Sequence, residues 1–149
     1  MGHTVLIAAH TAAGLGAFTA GCLALTRRSY FTVYFWSLIF LVAFLAAVVA
    51  VDWAGLDSAT RTVFAALTGL GGYMVWRAVQ ARQLQQATSL QQRARRIDHI
   101  GFTLVALFDG FVIILTLDLG APAWLAIVVA VAGIAAGHTT LRRLKRQLA

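Results

Sequence analysis

Two stretches near the N-terminus, 4–26 and 30–51, each run for more than twenty residues without a charged side chain. An α-helix rises 1.5 Å per residue, so about 20 apolar residues match the roughly 30 Å of hydrocarbon in a bilayer. The first run ends at Arg27 and Arg28 and the second at Asp52, with only Arg27, Arg28 and Ser29 between them. That spacing predicts a helical hairpin closed by a tight turn.

The rest of the chain supports lipid as the solvent. Hydrophobic residues make up 60% and charged residues 11%, with a mean hydropathy of +0.82. A soluble domain is near half apolar and about a quarter charged. A chain of 149 residues has too much surface to hide such an excess in a core.

Three further spans are expected. Residues 59–78 reach nearly full length when Arg61 and Arg77 extend to the interfaces. Residues 100–117 are interrupted by a single acid, Asp109. Residues 122–141 follow a short turn at Gly120 and Ala121, with Pro122 in the first helical turn, where no donor is lost. Between the third and fourth spans, 79–97 is rich in Gln and Arg without Gly or Pro. It reads as a cytoplasmic helical extension of the third helix, with a turn near Asp98.

Basic residues set the orientation. With the N-terminus outside, eleven of the twelve Lys and Arg residues fall on the cytoplasmic side, and only Arg61 falls outside. That pattern obeys the positive-inside rule. The expected fold is therefore an all-α integral membrane helical bundle in a single domain, 1–149. It has five transmembrane helices, with the N-terminus outside and the C-terminus cytoplasmic. A cell membrane, prokaryotic inner or plasma membrane, is the expected location. The first run lacks a basic leading segment and so reads as a retained helix rather than a cleaved signal. Trp53, Trp76, Tyr30, Tyr34 and Trp124 are expected at the membrane interfaces.

Several functions are disfavoured. The net charge of +7 sits at helix ends, where it serves topology, and no soluble segment is left to bind nucleic acid. One cysteine, Cys22, excludes an intrachain disulfide. Phosphate loops, catalytic triads, paired catalytic carboxylates and zinc-ligand spacings are missing, so an enzyme is not indicated.

Asp109 is the most informative side chain. An acid near mid-span costs roughly 2.5 to 3.5 kcal/mol on insertion scales, and it normally faces protein, a partner or water. No Lys or Arg lies at its depth, which favours the neutral acid. The functional reading is a proton or cation relay. The structural reading is a carboxyl hydrogen-bonded to a neighbouring Thr, Tyr or main-chain carbonyl. Asp98 and Asp109, eleven residues apart, share one helix stripe with Phe102, Val105, Val112 and Thr116.

His10 is the second relay candidate. It shares a face of the first helix with His3, Gly14, Ala17 and Gly21, small residues that permit close approach, and it lies at a depth near that of Asp109. His99 and His138, near the cytoplasmic ends of consecutive helices, are candidate ligands for a metal or haem b. Interfacial solvation is their structural alternative, and no cofactor is the default expectation. Gly133 and Gly137 form a small-residue pair suited to helix packing. His10, Leu15, Ala17 and Gly21 match His99, Leu104, Ala106 and Gly110 at equal offsets, the pattern of a weak inverted repeat.

Arg27, Arg28, Arg93, Arg95, Arg96, Arg142 and Arg143 are expected to contact anionic headgroups on the cytoplasmic side. The expected function is a non-enzymatic, oligomeric transport or channel-type unit for protons or small cations. Two alternatives remain: an accessory or assembly subunit of a larger membrane complex, and a haem- or metal-binding redox protein.

Overall fold

The structure is a computed structural model that describes residues 2–86, 88–119 and 123–146. The expected turn at 120–122, with Pro122, lies outside these residues, as do the side chains of His3, Asp118 and Lys145. The described residues form five α-helices and no strand: α1 (Gly2–Thr26), α2 (Phe31–Asp52), α3 (Ser58–Gln83), α4 (Leu90–Asp118) and α5 (Ala123–Arg146). Single 3-10 turns occupy Arg28–Tyr30 and Trp53–Gly55.

Among the described residues, three segments are long and apolar enough to cross a membrane: Val5–Thr26, Arg28–Gly55 and Leu90–Thr116. The chain divides into two compact units, Met1–Trp76 and Arg77–Ala149.

In the first unit α1 and α2 form the expected hairpin. Arg27 takes an extended conformation (φ −122°, ψ 112°) that ends α1, and the Tyr30 N–H donates to the Arg27 carbonyl at 3.3 Å. The buried face of α1 is built from small residues, Ala17, Ala20, Gly21 and Ala24. A Cβ at Gly14 or Gly16 would lie 3.2 Å from Leu41 or Ser37 of α2, so the backbones approach closely there. On α2, Phe31, Tyr34, Phe35, Leu38 and Leu41 are buried. Tyr34 was expected at an interface, yet it is fully buried. A tyrosine four residues into a helix lies on whichever face its neighbours dictate, and here Phe31 and Leu38 put it inside.

The other end of α2 explains Arg61. Its Nε donates to the Trp53 carbonyl at 3.0 Å, and Nη2 to the Ala54 carbonyl at 3.2 Å. Its guanidinium also lies over the Trp53 ring, 5.7 Å from the centroid. The last carbonyls of a helix have no partner within it. Arg61 supplies donors to two carbonyls of the 3-10 turn that follows α2, which is a local reason for its charge.

The polar connection departs from expectation. α3 stops at Gln83, and α4 begins at Leu90 and runs through Asp98 without interruption. The break therefore falls in 84–89, not near Asp98. Its cause is Ser89, whose Oγ accepts the Gln92 N–H at 3.2 Å while its carbonyl accepts the Arg93 N–H at 3.1 Å. Ser89 and Gln92 stand at the spacing of a capping box, in which a hydroxyl side chain satisfies an otherwise orphaned donor. Ser89→Ala is expected to cost about 1 kcal/mol of stability. Thermal unfolding of the purified protein in detergent measures it, and an unchanged midpoint would show that Ser89 does not start the helix.

Candidate functional site

The second unit is organised by a seam between α4 and α5, and glycines set its register. A Cβ on Gly137 would overlap the Val105 side chain, and one on Gly101 would overlap the end of Leu141. One turn up from Gly137, a Cβ on Gly133 would overlap Asp109 Oδ1. Asp109, Val105 and Gly101 thus descend α4 by steps of four while Gly133, Gly137 and Leu141 ascend α5 by the same step. Steps of four keep residues on one helix face. The helices are antiparallel, and the carboxyl of Asp109 is seated directly on the Gly133 backbone.

That seat makes Asp109 a buried acid with 8% of its surface exposed. Its Oδ1 is buried and has no hydrogen-bond partner among the described residues. The structural reading of Asp109 called for a hydrogen bond with a neighbouring Thr, Tyr or main-chain carbonyl. The threonines on its own helix do not provide one to Oδ1, because Thr103 donates to the His99 carbonyl at 3.1 Å and Thr116 to the Val112 carbonyl at 2.6 Å. Buried acceptors usually have a partner, and one left without a bond costs about 1–3 kcal/mol.

The other candidates fall as follows. His10 is part-buried, and its Nδ1–H donates to the Leu41 carbonyl of α2 at 3.1 Å. Because a carbonyl only accepts, that bond fixes the proton on Nδ1 and leaves Nε2 as the acceptor of the neutral ring. His10 belongs to the first unit and Asp109 to the second.

His99 is half-buried, and its Nδ1 is buried without a hydrogen-bond partner among the described residues. His138 is exposed and lines a cleft with Arg77 and Asp98. The seam sets the heights of the two imidazoles. His138 follows Gly137 and so stands level with Val105, whereas His99 precedes Gly101 and stands level with residues beyond Leu141. They are offset by about five residues, roughly 7 Å along the helices. Among the described residues no three His, Cys or Asp side chains gather as a metal-ligand group.

Of the headgroup candidates, Arg27, Arg28, Arg93, Arg95, Arg142 and Arg143 are exposed. Arg96 differs: it is 7% exposed and faces the interior of the second unit. It neighbours Ile97 and Ile100, both buried, on the inward face of α4.

Two residues gained importance only from the structure. Gly133 reads from sequence as a packing glycine, and nothing local marks it as the floor under Asp109. Arg77 reads as a cation at the membrane edge, yet its Nη2 donates to the Asp98 carbonyl at 2.9 Å and its guanidinium lies 4.9 Å from the Phe102 ring centroid. Comparison with protein-family models, with curated proteins and with solved structures gives no match.

Proposed function

We propose that the protein spans the cell membrane five times, N-terminus outside and C-terminus cytoplasmic, and passes protons or small cations as an oligomer, with Asp109 as the relay group. The observation that carries this reading is the Asp109 carboxyl, buried against Gly133 with an unpaired oxygen on an apolar helix hairpin. An acid in such a place is costly and needs a reason. A carboxyl can take up a proton or a small cation on one side and release it on the other, with no other chemistry.

The membrane setting is supported by what the helices expose. Val51, Leu119, Trp124 and Val131 are each more than 60% exposed, and large apolar side chains are exposed on all five helices. A soluble monomer rarely presents so much apolar surface. The placement of Arg and Lys supports the orientation. Small chains with few helices enclose little space, which favours assembly into an oligomer.

The test is flux. Purified protein reconstituted in liposomes with a trapped pH-sensitive dye is given a potassium diffusion potential. Proton entry above the protein-free rate that depends on Asp109 supports the relay; entry at the protein-free rate under proton and sodium gradients alike overturns it in favour of an accessory subunit. An absorption spectrum taken before and after reduction belongs beside it. A Soret band that shifts on reduction and is lost on replacing His99 or His138 would instead make the protein a cytochrome.

A further inference from the structure

An open cleft of about 360 Å³ lies in the second unit, outside the Asp109 seat, where the end of α3 meets the α4–α5 seam. Arg77, Asp98 and His138 supply its polar groups, and Phe102, Val105, Ile134 and Leu141 its apolar ones. Arg77 and Asp98 stand where the charged start of α4 gives way to its apolar run; seven residues on, about 10 Å along the helix, the wall is Val105, faced by Ile134 of α5. His138 stands level with Val105, on the α5 side.

We propose that this cleft binds one phospholipid, its phosphate held by Arg77 and His138 and an acyl chain laid along Val105 and Ile134. Arg77 is prepared for the task. The Phe102 ring supports one face of its guanidinium, and the Asp98 main-chain carbonyl anchors Nη2, so the planar group is fixed before any ligand arrives. Its Nε is buried and has no hydrogen-bond partner among the described residues, so the rest of the guanidinium edge, where Arg77 lines the cleft, is what a phosphate oxygen would meet.

The surrounding charge favours an anionic headgroup. Nine of the twelve basic residues lie in 77–149 against three acids, and Arg95, Arg142 and Arg143 are exposed in that unit. Free phosphate would share the Arg77 and His138 chemistry but would gain nothing from the apolar wall. Ile134 is 56% exposed there, an apolar side chain that a lipid tail would cover. The site is therefore assigned to the lipid, and it stands independently of the transport reading.

Native mass spectrometry of the full chain in detergent, titrated with phosphatidylglycerol, tests the assignment, with phosphatidylcholine and inorganic phosphate as comparison ligands. One phosphatidylglycerol is expected to stay bound. Arg77→Gln and Ile134→Trp are each expected to weaken it by about tenfold, and Arg27→Gln, which removes the same charge elsewhere, by less than about twofold. Ile134→Trp fills the wall from an exposed position, so it remains informative if Arg77→Gln unfolds the protein. Wild-type binding by Ile134→Trp overturns the proposal. If millimolar inorganic phosphate also displaces the lipid, the cleft is a free-anion site.

Discussion

Gly137→Ala is expected to destabilise the second unit by about 1–3 kcal/mol, the usual cost of forcing a methyl group into a filled space. Three glycines of α4 and α5 form a graded series that isolates the cause. At Gly137 the added carbon meets Val105. A β-branched side chain in a helix is nearly confined to one rotamer, so Val105 cannot turn aside and the backbones must separate. At Gly101 the obstacle is the far end of Leu141, which can rotate away, so Gly101→Ala should cost less. At Gly110 nothing lies within 4 Å of the added carbon. Gly110→Ala should therefore stabilise by up to about 1 kcal/mol, since alanine is the better helix former. Thermal unfolding of the three variants in detergent gives the order. If Gly137→Ala is as stable as Gly110→Ala, the α4–α5 seam does not have this register.

The same seam shows what was legible in the sequence. The uncharged runs before Arg27 and before Asp52 are local signals of length and hydropathy, and a helix needs little else to be recognised. The Arg27, Arg28, Ser29 turn followed because three residues cannot connect two helices any other way. Ser89 was equally local, with a hydroxyl three residues before Gln92, but the Gln and Arg residues around it favour helix and mask a single cap. Helix propensity summed over a window does not register one hydrogen bond.

Depth and facing are another matter. Asp109 stood out because a lone acid in an apolar run is rare. Its pairing with Gly133, twenty-four residues on, depends on how two helices slide against each other, which hydropathy does not encode. The burial of Tyr34 and Arg96 was missed for the same reason. An amphipathic side chain near a helix end reads as interfacial from sequence whether it turns outward or in. The relative height of His99 and His138 also rests on this register.

Asp109→Asn is expected to lower proton flux by at least about tenfold, to the protein-free rate, because an amide neither takes up nor releases a proton near neutral pH. Asparagine nearly matches aspartic acid in shape, so the side chain still fits above Gly133 and the fold should survive. Unfolding in detergent should shift by no more than about 1.5 kcal/mol, the range for volume-conserving exchanges. Asp109→Leu sharpens the contrast. Oδ1 has no hydrogen bond to lose, and an apolar replacement of a buried polar group can be nearly neutral or stabilising. A protein whose Asp109→Leu variant is as stable as wild type but carries no flux keeps its acid for function and not for packing. Gly133→Ala moves the carboxyl without removing it, so it should slow flux less than Asp109→Asn does. Wild-type flux in a well-folded Asp109→Asn protein would end the relay reading, and Asp109 would then be an acid tolerated only because a glycine left room for it.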